Sequence, residues 1–237
     1  MKTEPEIDEI KQKMFEKLKP SGWDKFFKSY IFSSEFTDIL TQLYIMSMSD
    51  KRFTPPLKDL FRAFEECPYD ELKLVIVGQD PYPTLDVADG IAFSCGKTQR
   101  LQPSLRYILD EVNRSIYGDN QISTDVDLKR WSNQGILLLN TALTTEVSKI
   151  GSHYDIWKSF TAHLFDYLNH NKKELVYIYM GKKAQEWADM VSDDNHKIFT
   201  SHPASAAYNK QKIWNSDNAF LKAQLLVAEN TGYVINW

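Results

Sequence analysis

The sequence predicts an α/β fold, namely a single domain with a four-stranded, mainly parallel, twisted sheet and helices on both faces. Two observations lead to this prediction. Short apolar runs alternate along the chain with segments whose apolar residues recur at helical spacing, which is typical of strand–helix–strand units. The apolar run at residues 74–77 is continuous and rich in β-branched residues, as in parallel strands that are buried on both faces.

Three helices are predicted before the first strand. Residues 3–19 place their apolar side chains on one helical face, and Thr3 is predicted to begin a capping box. The apolar residues of 36–48 predict a second helix. A third helix is predicted to begin at the proline pair 55–56 and to continue through Phe64, because proline is favoured in the first turn of a helix.

From residue 72 onward, strands and helices alternate. The predicted strands cover residues 72–77, 136–139, 175–180 and 197–200. The predicted helices cover residues 103–117, 156–169, 182–190 and 217–228. Such alternation implies parallel strands joined by helices. No repeat or long linker divides the chain, so residues 1–237 are predicted to form one domain, with residues 1–22 as an N-terminal helical extension.

The composition indicates a folded soluble protein. Hydrophobic residues make up 43% of the 237 residues, but no run of about 18 apolar residues is present to span a membrane. The acids and lysines at the N-terminus do not resemble a secretory signal. Cys67 and Cys95 are the only cysteines and lie in no metal-binding pattern, so neither a metal nor a cofactor is predicted. We expect a cytoplasmic protein, or a nuclear one if the source is eukaryotic or viral.

The charge of the chain is uneven. Its net value of −4 argues against nucleic acid as a partner, but the distribution of charge matters more than the sum. Residues 90–109 and residues 195–216 contain lysine or arginine and no acid. Because short acid-free stretches also arise by chance, they favour a nucleic-acid partner only weakly.

Polar or glycine-containing residues follow each of the four predicted strands. They are GQDPY at 78–82, NT at 140–141, GKK at 181–183 and SHP at 201–203. Because parallel strands end at one edge of a sheet, where open α/β sheets bind ligands, we expect Asp80, Asn140 and His202 to converge. If its motif stood alone, Asp80 would be interpreted as a turn residue, and for Asn140 a turn role and a binding role would be equally supported. A nucleotide-binding or hydrolase domain for a small molecule is a further interpretation, although GxGxxG, Walker and GxSxG motifs are absent.

In their order along the chain, these motifs resemble those of family 1 uracil-DNA glycosylases. The matching segments are GQDPY at 78–82, GIAFS at 90–94, PSL at 103–105, LLLNTALT at 137–144, GKKAQ at 181–185, SHPAS at 201–205 and INW at 235–237. The resemblance extends from about Trp23 to Trp237, and the ordered set is highly specific. It implies an enzyme that flips deoxyuridine out of DNA and hydrolyses the N-glycosidic bond, which releases uracil and leaves an abasic site in base excision repair.

The resemblance implies that Asp80 and His202 are the catalytic residues. Asp80 would stabilise the oxocarbenium-like sugar and position or activate water. A neutral His202 would donate a hydrogen bond to uracil O2 as negative charge moves onto the departing base. The residues that would bind uracil are Gln79, Tyr82, Phe93 and Asn140.

Each of these four binding residues has its own role in the resemblance. Asn140 would pair its amide with uracil O4 and N3–H and so reject cytosine. Phe93 would stack on the base, and Tyr82 would clash with the methyl group of thymine. Gln79 would contact uracil O2 and the water.

Contacts to the DNA backbone are also implied, through hydroxyls, backbone N–H groups and charge. The DNA-binding residues would be Pro103, Ser104, Gly181, Lys182, Ser201, Ser205 and Ala206. The expected substrates are uracil-containing single- and double-stranded DNA, and a proteinaceous inhibitor that mimics DNA is a candidate partner. The protein is expected to act as a monomer and away from membranes.

The sequence departs from the family at two positions. Pro83 stands where many members have a histidine, which the roles above do not need. Ala206 stands where members commonly have a leucine that wedges into the space left by the flipped base. We expect excision to persist, with single-stranded DNA favoured relative to duplex DNA. Ala206→Leu is expected to improve activity on duplex DNA. Tyr208 is expected to substitute as the wedge if the loop is reshaped. The alternative is a catalytically weak DNA-binding or replication-accessory protein on the same fold.

Overall fold

The computed structural model describes residues 4–49, 51–118 and 125–237, so the predicted capping role of Thr3 lies outside the described residues. The α-helices are α1 (Glu4–Leu18), α2 (Asp24–Ile31), α3 (Ser34–Ser47), α4 (Arg62–Glu65), α5 (Pro103–Val112), α6 (Lys129–Ser132), α7 (Tyr154–Asn171), α8 (Lys182–Gln185) and α9 (Ala219–Thr231). The strands are β1 (Phe53–Thr54), β2 (Leu74–Gly78), β3 (Ile136–Asn140), β4 (Thr145–Glu146), β5 (Val176–Met180) and β6 (His196–Thr200).

The central sheet has four strands in the order β3-β2-β5-β6, and every neighbouring pair is parallel. The predicted parallel sheet is therefore confirmed. Val176 and Tyr177 point to opposite faces of β5, and both are fully buried, so helices and loops cover both faces. Gly78 lies opposite Asn140 in the register of β2 and β3. The ends of these two strands consequently stand side by side.

An aromatic core joins the N-terminal helices to α7. The ring of Phe160 in α7 lies 5.9 Å from the rings of Phe61 and Phe64, and Phe27 in α2 lies 5.1 Å from Phe64. The sequence interpretation missed α2. This helix is only 8 residues long and its N-cap, Trp23, has no side-chain capping bond, so neither length nor a capping signal marks it.

Three predicted helices differ from the observed ones. The chain at the proline pair 55–56 is not helical: Pro56 is extended, with a ψ of 152°. The pair follows β1, which is antiparallel to β4, and precedes a 3₁₀ turn at Leu57–Asp59 and then α4. The helix predicted over 182–190 is α8 followed by a separate 3₁₀ turn at Ala188–Met190. The one predicted over 103–117 is α5 followed by a π-helical turn at Asn113–Tyr117. Apolar spacing does not distinguish these tight and wide turns from an α-helix.

The two cysteines belong to the packed interior. Cys67 and Cys95 are free thiols and both are buried. The backbone carbonyl of Cys67 accepts a hydrogen bond from the indole N–H of Trp23 at 2.8 Å. Across the three described ranges, no three His, Cys, Asp or Glu side chains are grouped so as to hold a metal ion. None of the helices in those ranges is both long and apolar enough to cross a membrane.

Candidate active site

A cavity of about 160 Å³ opens where β2 and β3 end. Its volume is close to that of engineered cavities of about 150 Å³ that bind benzene, so it accepts one six-membered ring. Residues singled out from the sequence line it, namely Gln79, Asp80, Tyr82, Phe93, Ser104, Asn140 and His202. The structure thus brings together Asp80, Asn140 and His202, which are far apart in the sequence.

The floor of the cavity is made by the side chain of Asn140, against which Gly78 packs. A Cβ atom at Gly78 would lie 2.6 Å from Asn140 Oδ1 and 3.1 Å from the ring of Phe93. Only glycine allows this close approach of an amide and an aromatic ring to the strand. Within the described residues the Asn140 amide has no hydrogen-bond partner, so both its donor and its acceptor are available to a ligand.

Phe93 forms one wall and is held in a strained conformation. Its φ is +66°, a left-handed value that an aromatic residue adopts only when its surroundings impose it. The hydroxyl of Tyr82 donates a hydrogen bond to the Phe93 carbonyl at 3.0 Å. Burial raises the pKa of Tyr82 well above its usual range, so this donor stays protonated. Tyr82 therefore fixes Phe93 in addition to lining the cavity.

The loop that carries Phe93 is organised by Asp89, which the sequence interpretation missed. Asp89 is fully buried. Its carboxylate accepts hydrogen bonds from the Ile91 N–H at 3.2 Å, the Ser94 hydroxyl at 2.6 Å and the Gly96 N–H at 3.0 Å. It also forms an ion pair with Arg62 at 2.8 Å. In the sequence, an aspartate before glycine is indistinguishable from an ordinary turn residue.

Asp80 is half-buried and is held by a backbone donor from a distant loop. The Gly151 N–H donates to Asp80 Oδ2 at 2.7 Å. Burial raises the pKa of Asp80, and the Gly151 N–H acts against this shift because it stabilises the carboxylate. Gly151 has a φ of +77°, and a Cβ there would lie 2.9 Å from the ring of Tyr154. Gly151 thus holds Asp80 through its backbone, a contact that leaves no side-chain signal in the sequence.

His202 presents a neutral imidazole to the cavity. Its Nδ1 accepts a hydrogen bond from the Ala204 N–H at 3.1 Å, so the proton of the neutral ring is on Nε2. Burial lowers the pKa of His202, which favours the neutral form. Gly181, with a φ of +96°, packs beneath it, since a Cβ there would lie 2.9 Å from His202 Cβ. The ring centroids of Phe93 and His202 are 6.1 Å apart.

The remaining residues predicted to contact DNA differ in their exposure. Pro103 is exposed at the start of α5, whereas its neighbour Ser104 is buried and lines the cavity. Lys182 is exposed at the start of α8. Ser201 and Ser205 are both exposed, and their hydroxyls lie 3.3 Å apart.

Ala206 is fully buried, which differs from the expectation that it contacts DNA. It belongs to a 3₁₀ turn, Pro203–Tyr208, that packs against α5. In this turn a leucine at position 206 would enter the packed interior rather than project outward, which argues against a wedge here. The effect of Ala206→Leu on duplex DNA stays a prediction. Tyr208, at the end of the same turn, is 92% exposed.

The fold and the cavity define a class of protein, an α/β enzyme that holds one small planar polar ring at the carboxyl ends of its parallel strands. Within that class, the model of the uracil DNA glycosylase superfamily matches residues 64–226. The chain belongs to this family, as the resemblance of its motifs predicted.

Individual relatives agree with this assignment. The uracil-DNA glycosylase of Amoebophilus asiaticus (strain 5a2) is 37% identical over 185 residues, which are 77% of this chain and 82% of that protein. The crystal structure of mimivirus uracil-DNA glycosylase is similar with a TM-score of 0.80 at 26% identity, and covers 92% of this chain and 86% of that chain. A variant of mimivirus UNG in complex with UGI gives a TM-score of 0.81 at 26% identity, over 91% and 87% of the two chains.

Replacement of Asp89 tests the role of the buried carboxylate in holding the cavity wall. Asp89→Ala leaves three donors and the Arg62 guanidinium without this partner, so we expect the free energy of unfolding to fall by about 3 kcal/mol. Urea denaturation measures this change. Asp110→Ala, which alters an exposed carboxylate on α5, is the control and should change little. A loss below about 1 kcal/mol for Asp89→Ala would contradict the assigned role.

Proposed function

We propose that the protein hydrolyses the N-glycosidic bond of deoxyuridine in DNA, which releases uracil and leaves an abasic site for base excision repair. The observation that carries this proposal is the convergence of Asp80, Phe93, Asn140 and His202 on one ring-sized cavity, in a chain of the uracil DNA glycosylase superfamily. A carboxylate, a stacking surface, an amide and a neutral imidazole are the groups that this reaction needs.

Recognition of uracil follows from the cavity floor and wall. The free Asn140 amide pairs with uracil O4 and N3–H, whereas cytosine offers the reverse pattern and leaves buried groups unpaired. Phe93 stacks on the ring. Tyr82 is fixed by its bond to the Phe93 carbonyl and leaves no room for the methyl group of thymine. Gln79 completes the polar side of the cavity.

The chemical step uses Asp80 and His202 in different charge states. As the bond between C1′ and N1 breaks, positive charge develops on the sugar and the Asp80 carboxylate stabilises it. Negative charge moves onto uracil, and the Nε2–H of His202 donates to O2 of the leaving anion. Water adds to C1′ and gives up a proton through Asp80 to solvent. Uracil takes up a proton after release.

The base must leave the helix to reach this cavity, so we propose that the nucleotide is flipped. Several exposed cationic side chains lie in the segments that carry the site residues. Within the described parts of the chain they form no ion pair; they are Arg100, Arg106, Lys182, Lys210 and Lys212. These cations are available to phosphates, which explains how an acidic protein binds DNA. Binding should be strongly salt-dependent, because phosphate contacts release counterions.

Partners and location form part of the same proposal. Both single- and double-stranded DNA that contains uracil are proposed as substrates, and the complex of the mimivirus variant with UGI supports a proteinaceous inhibitor as a partner. We propose a monomer in the cytoplasm, or in the nucleus if the source is eukaryotic or viral.

An excision assay tests the proposed function. The protein is incubated in EDTA with a labelled oligonucleotide that contains one uracil, and abasic sites are then cleaved with alkali. We expect cleavage by the wild type and by the control Asp110→Asn, and a loss of roughly 100-fold or more for Asp80→Asn. Binding without cleavage would instead support the DNA-binding alternative, and neither binding nor cleavage would support a small-molecule enzyme.

The pH dependence of excision tests the ionisation of Asp80. Burial raises the pKa of this carboxyl group, so kcat/KM should fall on the acid side at a higher pH than for an exposed aspartate, as the carboxylate is protonated. The profile is measured from about pH 4 to about pH 8. Burial lowers the pKa of His202, which favours its neutral form, so we assign the acid limb to Asp80. The residual activity of His202→Asn should therefore show the same acid limb. An acid limb that disappears in this variant would assign the titration to His202.

Tyr208 is the proposed substitute for the leucine wedge. It is 92% exposed at the end of the turn that follows His202. We expect Tyr208→Ala to weaken transition-state binding of duplex DNA by about 1–3 kcal/mol, measured from kcat/KM. The loss on single-stranded DNA should be smaller, because no base pair has to be opened there. Met48→Ala, at an exposed apolar residue at the end of α3, is the control. Equal losses on both substrates would contradict the wedge.

A further inference from the structure

One exposed apolar side chain, Ile150, stands at the mouth of the cavity. It is 66% exposed and yet lines the cavity together with Pro83 and Ala204. Single exposed apolar residues are common on protein surfaces. Ile150 differs because it lies where the DNA strand must pass if a base enters the cavity.

The loop that carries Ile150, residues 147–153, is held at several points and is called the rim loop here. The Thr145 hydroxyl donates to the Lys149 carbonyl at 2.7 Å, and the Glu146 N–H donates to the Ser152 hydroxyl at 2.8 Å. The Ser148 N–H donates to the Pro83 carbonyl at 2.9 Å. The rim loop is thereby fastened both to β4 and to the turn that carries Asp80.

Ile150 is also adjacent in sequence to the donor that holds the catalytic carboxylate. The Gly151 N–H donates to Asp80 Oδ2 at 2.7 Å, and the ring of Tyr154 packs against Gly151. Burial, and then the charge of Asp80, raise the pKa of Tyr154. A shift of the Ile150 backbone would move this donor, because the peptide unit that joins Ile150 to Gly151 carries the N–H.

We propose that Ile150 is a substrate-positioning residue that packs against the nucleotide next to the flipped uridine in the same strand. This contact presses the rim loop onto the turn of Asp80 and keeps the Gly151 N–H aligned with the carboxylate. The proposal rests on the proposed glycosylase function. It adds a second, independent contact to Tyr208, since the two residues are on different loops.

The test compares Ile150→Ala and Ile150→Val on three single-stranded oligonucleotides, with uracil internal, at the 5′ end, or next to the 3′ end. On the internal uracil we expect Ile150→Ala to lower kcat/KM by roughly 5- to 20-fold, the effect of losing a partly buried branched side chain, and Ile150→Val to retain most activity. Because Ile150 is adjacent to the Gly151 N–H that holds Asp80, Ile150→Ala should lower kcat and also raise KM. Leu225→Ala, at a 60% exposed residue on α9, is the control.

The two substrates with uracil at or next to an end distinguish a DNA contact from a general weakening of the loop. On the substrate that lacks the nucleotide touched by Ile150, the wild type should itself be slower and Ile150→Ala should lose little more. An equal loss on all three substrates, or no loss on any, would overturn the proposal. If the wild type excises uracil from none of them, the glycosylase function itself has failed, which is a different outcome from an unaffected variant of an active enzyme.

Discussion

The site depends on one constraint, the parallel register that sets Gly78 beside Asn140 at the ends of β2 and β3. Because position 78 has no Cβ, the Asn140 amide and the Phe93 ring approach the strand to distances that any other residue would forbid. The Thr141 N–H donates to the Gly78 carbonyl at 3.1 Å, which continues the pairing beyond the strands. The turn that carries the carboxylate and the turn that carries the amide are therefore parts of one rigid unit.

Burial acts in opposite directions on the two ionisable groups of this unit, and both effects serve the same chemistry. It raises the pKa of Asp80 and lowers that of His202. Each group then receives one backbone N–H that selects its state: Gly151 favours the carboxylate, and Ala204 occupies the lone pair of Nδ1. In the proposed reaction, the cavity therefore holds one negative charge where a cationic sugar would form and a neutral donor where the base would become anionic.

The sequence predicts the sheet and the side chains at its edge because both leave local signals. A continuous apolar run that ends in glycine marks β2, and polar residues after each strand mark Asp80, Asn140 and His202. The contacts that hold these side chains leave no such signal. The Gly151 donor is a backbone group 71 residues from Asp80, and the bonds of Asp89 exist only once its loop has folded over it. The inward direction of Ala206 depends in the same way on packing against α5.

The structure separates the residues proposed to act on the base from those proposed to face the DNA. Asp80, Asn140 and His202 are tied to strand ends, whereas Tyr208 lies at the end of a 3₁₀ turn and is almost wholly exposed. A change of wedge residue can therefore leave the cavity intact, which is why Ala206 does not argue against catalysis. The rim loop is where the two sets meet, because Ile150 faces the solvent and the next residue holds the carboxylate. The proposed contact of Ile150 with DNA would thus reach Asp80 through a single peptide unit and would couple binding of the strand to the chemical step.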